Sequence, residues 1–317
     1  MAWTYYVIGG GSIGRRHYGN LQSMGKSVEL LPWRTFDTAQ FGERLKGCAG
    51  KAAAIIATAT DIRAELVEIC AAQHVPVYIE KPLAFCRKEF DQIYAIAPAL
   101  QRRSIVGFML RYHPLTEFLR AQASTDFFRL RVEIGYDVRQ WRSNWSFANS
   151  YAAQTRGGGA LLDLCHEIDL IGLLCPALRL HSVQSIGHAA FPGVDLVSTL
   201  AFSAPRGAIA TVSMDYLSPV LQRSGRLTSC KCSISFDFVN GTALVQAQEG
   251  LQNYTFEHER NAMFLRIMQD FITLVEGAGA ELHPCVPRMD LVKQSCDRIV
   301  RAWHSREFIG TKEVELI

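Results

Sequence analysis

The sequence predicts two domains of different class: an α/β domain on a parallel sheet, then an α+β domain on an antiparallel sheet. Three observations lead there. The chain has 317 residues, and domains run to ~100–200 residues each, so two cores are expected. From residue 5 to about 107, short β-branched or aromatic runs alternate with segments of helical period, as in strands joined by helical crossovers. Beyond Pro114, strand-like runs follow one another without such crossovers. The expected domains are therefore 1–114 and 115–317.

In the first domain the expected strands are 3–8, 28–31, 53–57, 75–79 and 104–108, and the expected helices are 13–24, 39–46, 63–73 and 88–97. A helix at 115–122 precedes strands expected at 128–136, 180–186, 196–202, 209–216, 233–238 and 243–246. Pro205-Arg206-Gly207 and Asn240-Gly241 supply turn signals between them. One helix, 160–174, interrupts this sheet, and two more, 263–276 and 289–304, close the chain.

Composition narrows the function classes. Hydrophobic residues make up 49% and charged residues 20%, ordinary values for a globular protein and unlike disordered or fibrous chains. Lys+Arg of 33 against Asp+Glu of 30 leaves a net charge of +3, far from the basic stripe that a row of phosphates requires, so nucleic acid is not an expected partner. The nine cysteines are scattered, mostly among apolar neighbours, and read as thiols. Cys230-Lys231-Cys232 has neither the spacing nor the further ligands of a zinc site, so no metal is expected. No stretch approaches the ~20 apolar residues of a membrane span. Even 161–174 carries Asp163, His166, Glu167 and Asp169. With no basic leader ahead of the first strand, the expected location is the cytoplasm.

Gly9, Gly11 and Gly14 form G-x-G-x-x-G, with Ser12 and Ile13 inside the turn. Glycine turns of this spacing are common, but this one follows an apolar strand directly and opens a helix. There the first glycine turns the chain, the second lets a pyrophosphate approach backbone N–H groups, and the third packs helix on strand. A dinucleotide is the expected ligand. The next strand ends in Pro32-Trp33-Arg34-Thr35 with no acid at its end, Glu29 lying inside it and Asp37 beyond it. An acid there would take the ribose hydroxyls of NAD, whereas Arg34 suits a 2′-phosphate and Trp33 can flank the adenine. NADP is thus the preferred cofactor, with NAD the other candidate. Arg34 as a solvated loop residue is the alternative.

Glu80-Lys81-Pro82, after the run 75–79, resembles the E-K-P signature of the glucose-fructose oxidoreductase / inositol dehydrogenase (Gfo/Idh/MocA) family. Ile55-Ile56-Ala57-Thr58-Ala59-Thr60 is similar to the family's fourth-strand motif, and Gly107-Phe108-Met109-Leu110-Arg111-Tyr112-His113-Pro114 to its interdomain segment. Gly157-Gly158-Gly159-Ala160-Leu161-Leu162-Asp163 with His166 and Asp169 is similar to its catalytic helix. The resemblance implies a Rossmann domain, then a large open, mainly antiparallel sheet that mediates dimers or tetramers. It also implies NAD(P)-dependent oxidation or reduction of a sugar-like hydroxyl or ketone.

Carried over by position, the resemblance makes Lys81 the group that hydrogen-bonds the reacting oxygen near the nicotinamide, His166 the proton carrier and Asp163 its accompanying carboxylate. Thr58, Ala59 and Glu80 join Lys81 on the cofactor side. An imidazole with its ordinary pKa of about 6.5 can take and return a hydroxyl proton near neutrality, and a nearby ammonium stabilises the developing oxyanion. On one helix Asp163 and His166 would share a face. Two departures stand out: Asp163 precedes His166 by three residues where the family has four, and Ala59 and Arg63 replace the family's proline and histidine after the fourth-strand motif.

The stretch from Trp141 through Tyr151 to the triple glycine is similar to family members of bacterial surface-sugar biosynthesis, which points to a sugar or nucleotide-sugar substrate. Trp141 and Tyr151, rings close to arginines, suit a sugar face, with a packed loop as the alternative. Arg111 either anchors a substrate carboxylate or phosphate or ties the domains together. Two further readings remain: an epimerase, lyase or glycosidase that uses nicotinamide only transiently, and a cofactor-sensing regulator. The presence of both Lys81 and His166 argues against the second.

Overall fold

The computed structural model describes residues 2–123, 126–140, 146–205, 207–277 and 279–316. They form two compact units, Met1–Tyr112 with Glu259–Cys296, and His113–His258 with Asp297–Ile317.

The first unit alternates as the sequence predicts, with one short helix, α5, beyond those expected: β1 (Thr4–Ile8), α1 (Ser12–Ser23), β2 (Ser27–Leu31), α2 (Thr38–Lys46), β3 (Ala52–Ile56), α3 (Arg63–Ala72), β4 (Val77–Ile79), α4 (Arg87–Tyr94), α5 (Pro98–Gln101) and β5 (Ile105–Val106). The strands make one five-stranded sheet in the order β2-β1-β3-β4-β5, with every pairing parallel. β1 and β3 are buried almost throughout, as expected for central strands covered on both faces. Between β1 and β3 the winding reverses direction, which in open α/β sheets opens a crevice beyond the strand C-termini.

The second unit begins with α6 (Pro114–Gln122) and β6 (Phe127–Gly135), then α7 (Ala160–Asp163), α8 (His166–Leu174), β7 (Arg179–Gly187), β8 (Val197–Ala204), β9 (Ala208–Asp215), β10 (Gln222–Ser229), β11 (Cys232–Asp237), β12 (Thr242–Ala247) and β13 (Gly250–Thr255). With β14 (Arg306–Thr311), these strands make a nine-stranded sheet in the order β13-β12-β11-β10-β6-β9-β8-β7-β14. It is mainly antiparallel; β6–β9 and β14–β7 are its parallel pairs. Alternation of buried and half-exposed residues along β8 and β9 turns one face to the core.

Several expectations need correction. Strands β10, β13 and β14 are missing from the sequence reading, because Gln222–Ser229 is almost wholly polar and β13 and β14 lie largely exposed, so none carries an apolar stripe. The single helix expected over 160–174 is two helices, broken where Leu164 takes φ −99° and ψ 25°. The segment Glu259–Cys296, placed by sequence in the second domain, belongs to the first unit. Its helix α9 (Arg260–Glu276) carries the reason: Phe264 meets His17 at 5.8 Å, Phe271 meets Tyr78 at 5.9 Å, and Asp270 accepts from Tyr112 Oη at 2.6 Å. The returning chain also extends the β5 edge, Val106 N donating to Pro287 O at 3.0 Å and Met289 N to Ser104 O at 2.9 Å. Helix α10 (Met289–His304) crosses the division into the second unit. Among the described residues no helix is long and apolar enough to cross a membrane.

Candidate functional site

Parallel register lines up the site in the first unit. Ile8 stands level with Ile56, and Ile56 with Ile79, so Gly9, Ala57 and Glu80 leave the sheet at one edge. There Gly9 N donates to Leu31 O at 2.9 Å, Ala57 N to Ile8 O at 2.9 Å and Glu80 N to Ile56 O at 3.0 Å.

The glycine turn has a tight side and an open one. Gly9 sits at φ +115°, and a Cβ there would lie 2.5 Å from Ala57 O; a Cβ on Gly14 would lie 1.9 Å from Gly9 O. A Cβ on Gly11 would meet nothing within 4 Å. Gly11 is the N-cap of α1, with no side-chain capping bond and no acid in the first turn, so the helix presents bare N–H groups and its positive dipole end beside Ser12 and Ile13. This donor set and clearance fit a pyrophosphate.

Beyond β2, where the sequence places the adenosine of an expected dinucleotide, both nearby acids are engaged. Glu29 pairs with Arg44, and Asp37 caps α2 by accepting from Gln40 N at 2.9 Å. Arg34 is exposed, and Trp33, 36% exposed, stacks on Phe36 at 5.4 Å. A recess lined by Leu31, Pro32, Thr35, Phe36 and Arg44 lies alongside. Thr58 is buried and Ala59 exposed on the loop after β3.

Lys81 is half-buried beyond β4, followed by a cis bond to Pro82. Glu80, expected on the cofactor side, turns its carboxylate inward, where Oε1 meets His17 Nε2 at 2.7 Å and Oε2 accepts from Lys81 N at 3.2 Å. Burial pushes this carboxyl up, but His17, Lys81 and Arg63 outweigh that and hold it below its ordinary range. Gly107 makes room for it, since a Cβ there would come within 3.0 Å of Glu80 Oε2. Arg111 is buried, donating to Cys285 O at 3.4 Å within the same unit. Sequence reasoning missed His17, although its place three residues after Gly14, on the face of α1 that meets the sheet, was a signal.

In the second unit, Gly157-Gly158-Gly159 open α7. Gly159 sits at φ +100°, and a Cβ on it would lie 2.1 Å from Asp195 Oδ1. Asp195 is fully buried and accepts from Leu161 N and from Ser198 Oγ, each at 2.8 Å, while pairing with Arg306. Asp163 ends α7, where Tyr151 Oη lies 3.2 Å from both its oxygens and Tyr216 Oη 3.2 Å from Oδ2. Burial drives the Tyr216 phenol well above its ordinary range, with Asp163 adding to the effect, so it stays a donor. The structure thus joins Tyr151 and Asp163, two expected site residues. His166 begins α8, so Asp163 and His166 do not share one continuous helix face as expected. His166 is 6% exposed. Its neighbour Glu167, fully buried, is paired by Arg223 of β10 at 2.7 Å; that arginine lies in a polar stretch with no signal in the sequence. Trp141 lies outside the described residues. Among those residues no cluster of His, Cys, Asp and Glu is placed to hold a metal ion.

Comparison with known proteins puts this geometry in context. No family model and no curated protein sequence matches the chain. Solved structures do match over nearly its whole length. UDP-N-acetylglucosamine 3-dehydrogenase from Acidithiobacillus ferrooxidans is 17% identical with a TM-score of 0.74, covering 97% of this chain and 98% of its own. An inositol dehydrogenase homolog from Azotobacter vinelandii, solved with NAD+, is 15% identical with a TM-score of 0.75, covering 96% and 95%. An oxidoreductase from Agrobacterium radiobacter, solved with NAD+, L-tartaric acid and magnesium, is 15% identical with a TM-score of 0.74 and covers 96% of each chain. The chain shares the fold of these oxidoreductases, and the parallel sheet followed by the large, mainly antiparallel one is as the sequence predicts.

Proposed function

We propose that the chain is a nicotinamide-dependent oxidoreductase of the Gfo/Idh/MocA type, preferring NADP(H), that acts on a hydroxyl or ketone carbon of a sugar or nucleotide sugar. One observation carries the reading: the uncapped N-terminus of α1 opens on the cleared Gly11 position, at the point where the sheet winding reverses and with Lys81 on the same sheet edge. The fold shared with NAD+-bound structures and with a nucleotide-sugar dehydrogenase supports it. The engagement of Glu29 and Asp37 supports NADP(H), because neither carboxylate is left for ribose hydroxyls while Arg34 stands exposed for a 2′-phosphate.

When bound, the nicotinamide supplies the two-electron acceptor or donor. The residues supply the rest. The N–H groups of α1 and of residues 11–13 hold the pyrophosphate. The Lys81 ammonium hydrogen-bonds the reacting oxygen and favours its alkoxide form, and His166 takes or returns that oxygen's proton. Asp163, with Tyr151 beside it, accepts from a sugar hydroxyl. The nine cysteines, all free thiols, suit a reducing compartment such as the cytoplasm. The broad second sheet is proposed to carry a dimer or tetramer.

Titration with NADPH and NADH by fluorescence, then absorbance assays against free sugars and UDP-sugars, tests the reading. The expected result is tighter NADPH binding and stoichiometric nicotinamide turnover with one sugar. Equal affinities would remove the NADP preference, and no affinity for either nucleotide would end the proposal.

A further inference from the structure

The residue at the start of α3 has a more specific place than its sequence suggests. Arg63 is 5% exposed, and its guanidinium reaches three main-chain carbonyls on two loops. Nε and Nη2 donate to Thr58 O at 3.2 and 2.7 Å, and Nη1 donates to both Glu80 O and Pro82 O. The last two flank Lys81. The lysine's own N–H is taken by Glu80 Oε2 at 3.2 Å, and the other oxygen of that carboxylate meets the fully buried His17 ring at 2.7 Å. The main chain on both sides of Lys81 is therefore gripped from inside the first unit.

We propose that Arg63 is a positioning residue for Lys81, fixing the main chain from which the ammonium projects, with the His17–Glu80 pair as the second half of the grip. The inference rests on the reading of Lys81 as the group that holds the reacting oxygen. A guanidinium suits this place because its planar fork carries five N–H donors on one rigid frame, where a lysine offers one point and a neutral imidazole one N–H. Charge-assisted bonds to carbonyls are the stronger kind, and three acceptors on two loops tie the end of β3 to the end of β4. With the main chain fixed, the point from which the ammonium projects is set, and misplacement by about 1 Å is enough to cost orders of magnitude in rate.

The test is a double-mutant cycle read in kcat and KM, with Arg63→Gln, Lys81→Met and the pair. Arg63→Gln is expected to lower kcat roughly 10- to 100-fold with little change in sugar KM, and to cost nothing further in the Lys81→Met background. Loss in both backgrounds, as a merely structural role gives, overturns the proposal. A second readout needs no turnover: amine acetylation of Lys81, measured by mass spectrometry against Lys26 and Lys51 of the same unit. In Arg63→Gln, or in Arg63→Lys should the first variant fail to fold, Lys81 is expected to label severalfold faster while the reference lysines do not change. An unchanged Lys81 rate overturns the proposal. If Lys81→Met leaves turnover intact, the catalytic reading of Lys81 falls, and the labelling still decides whether Arg63 fixes its loop.

Discussion

Two glycine-rich turns each open a helix here, one in each unit, and they end in opposite chemistry. The turn at Gly9, Gly11 and Gly14 leaves α1 uncapped, with its middle glycine facing open space. The turn at Gly157, Gly158 and Gly159 is closed at its second and third glycines. A Cβ on Gly158 would lie 2.4 Å from Gln154 O, Gly159 presses on Asp195, and the Asp195 carboxylate accepts from Leu161 N. The buried aspartate supplies at this second turn the acceptor and negative charge that the first turn lacks. Glycine content alone therefore does not make an anion site; what matters is whether the protein itself caps the helix.

The largest expected effects separate closed glycines from the open one. Gly14→Ala and Gly159→Ala each drive a methyl into atoms about 2 Å away, and overpacking of this kind costs ~1–3 kcal/mol, with the left-handed φ at Gly159 adding to it. Thermal unfolding should show a fall of several degrees for both. Gly11→Ala should leave the melting temperature within about a degree, since its methyl meets nothing of the protein, yet weaken NADPH binding roughly tenfold or more. If Gly11→Ala instead destabilised the fold and left binding untouched, the contrast between the turns would be wrong.

That contrast also shows how much was legible in the sequence. G-x-G-x-x-G after an apolar strand could be read because everything that defines it is local: strand, turn and helix start lie within about 15 residues. The parallel sheet was legible for the same reason, its buried strands being short apolar runs. The second turn is closed by Asp195, some 36 residues further on, and by Arg306 at the far end of the chain, contacts that no local pattern announces. Arg223, which pairs with Glu167 beside His166, lies in a polar strand that carries no apolar stripe to announce it. Arg63 could be seen only as a departure from a motif; its grip on three carbonyls needs the loops brought together.

The second unit offers a smaller, pH-dependent test of its packing. His113 is buried as the N-cap of α6, its Nδ1 accepting from Leu115 N at 3.1 Å. Burial, with His258 and Arg223 nearby, lowers its pKa from 6.5 to about 4. His258 lies 4.4 Å away ring to ring, and Phe238 covers another side at 5.0 Å. The folded chain keeps this ring neutral where the unfolded chain protonates it. Its contribution to stability is therefore complete above pH 6.5 and falls away as the pH drops towards 4. His113→Asn keeps a capping acceptor and removes the titration. Its unfolding free energy should depend less steeply on pH in that window, by up to about 1.4 kcal/mol per pH unit. Identical slopes for the two proteins would show that this imidazole is not held neutral.

At Asp163 two phenols approach one carboxylate from different surroundings, and the smallest expected effect on stability is that of the exposed one, Tyr151. Tyr216 is fully buried and bonds Gly159 O at 3.0 Å as well as the half-buried Asp163, so Tyr216→Phe leaves a buried carbonyl short of a donor and should cost ~1–3 kcal/mol. Tyr151 is 53% exposed, and its two bonds to Asp163 compete with water. Tyr151→Phe should therefore move stability by no more than about 0.5 kcal/mol. If Tyr151 and Asp163 together meet a sugar hydroxyl, that same substitution raises sugar KM severalfold while NADPH affinity holds. One tyrosine then acts on the fold and the other on the substrate through the same carboxylate. A Tyr151→Phe protein with unaltered KM would confine the pair to holding the end of α7.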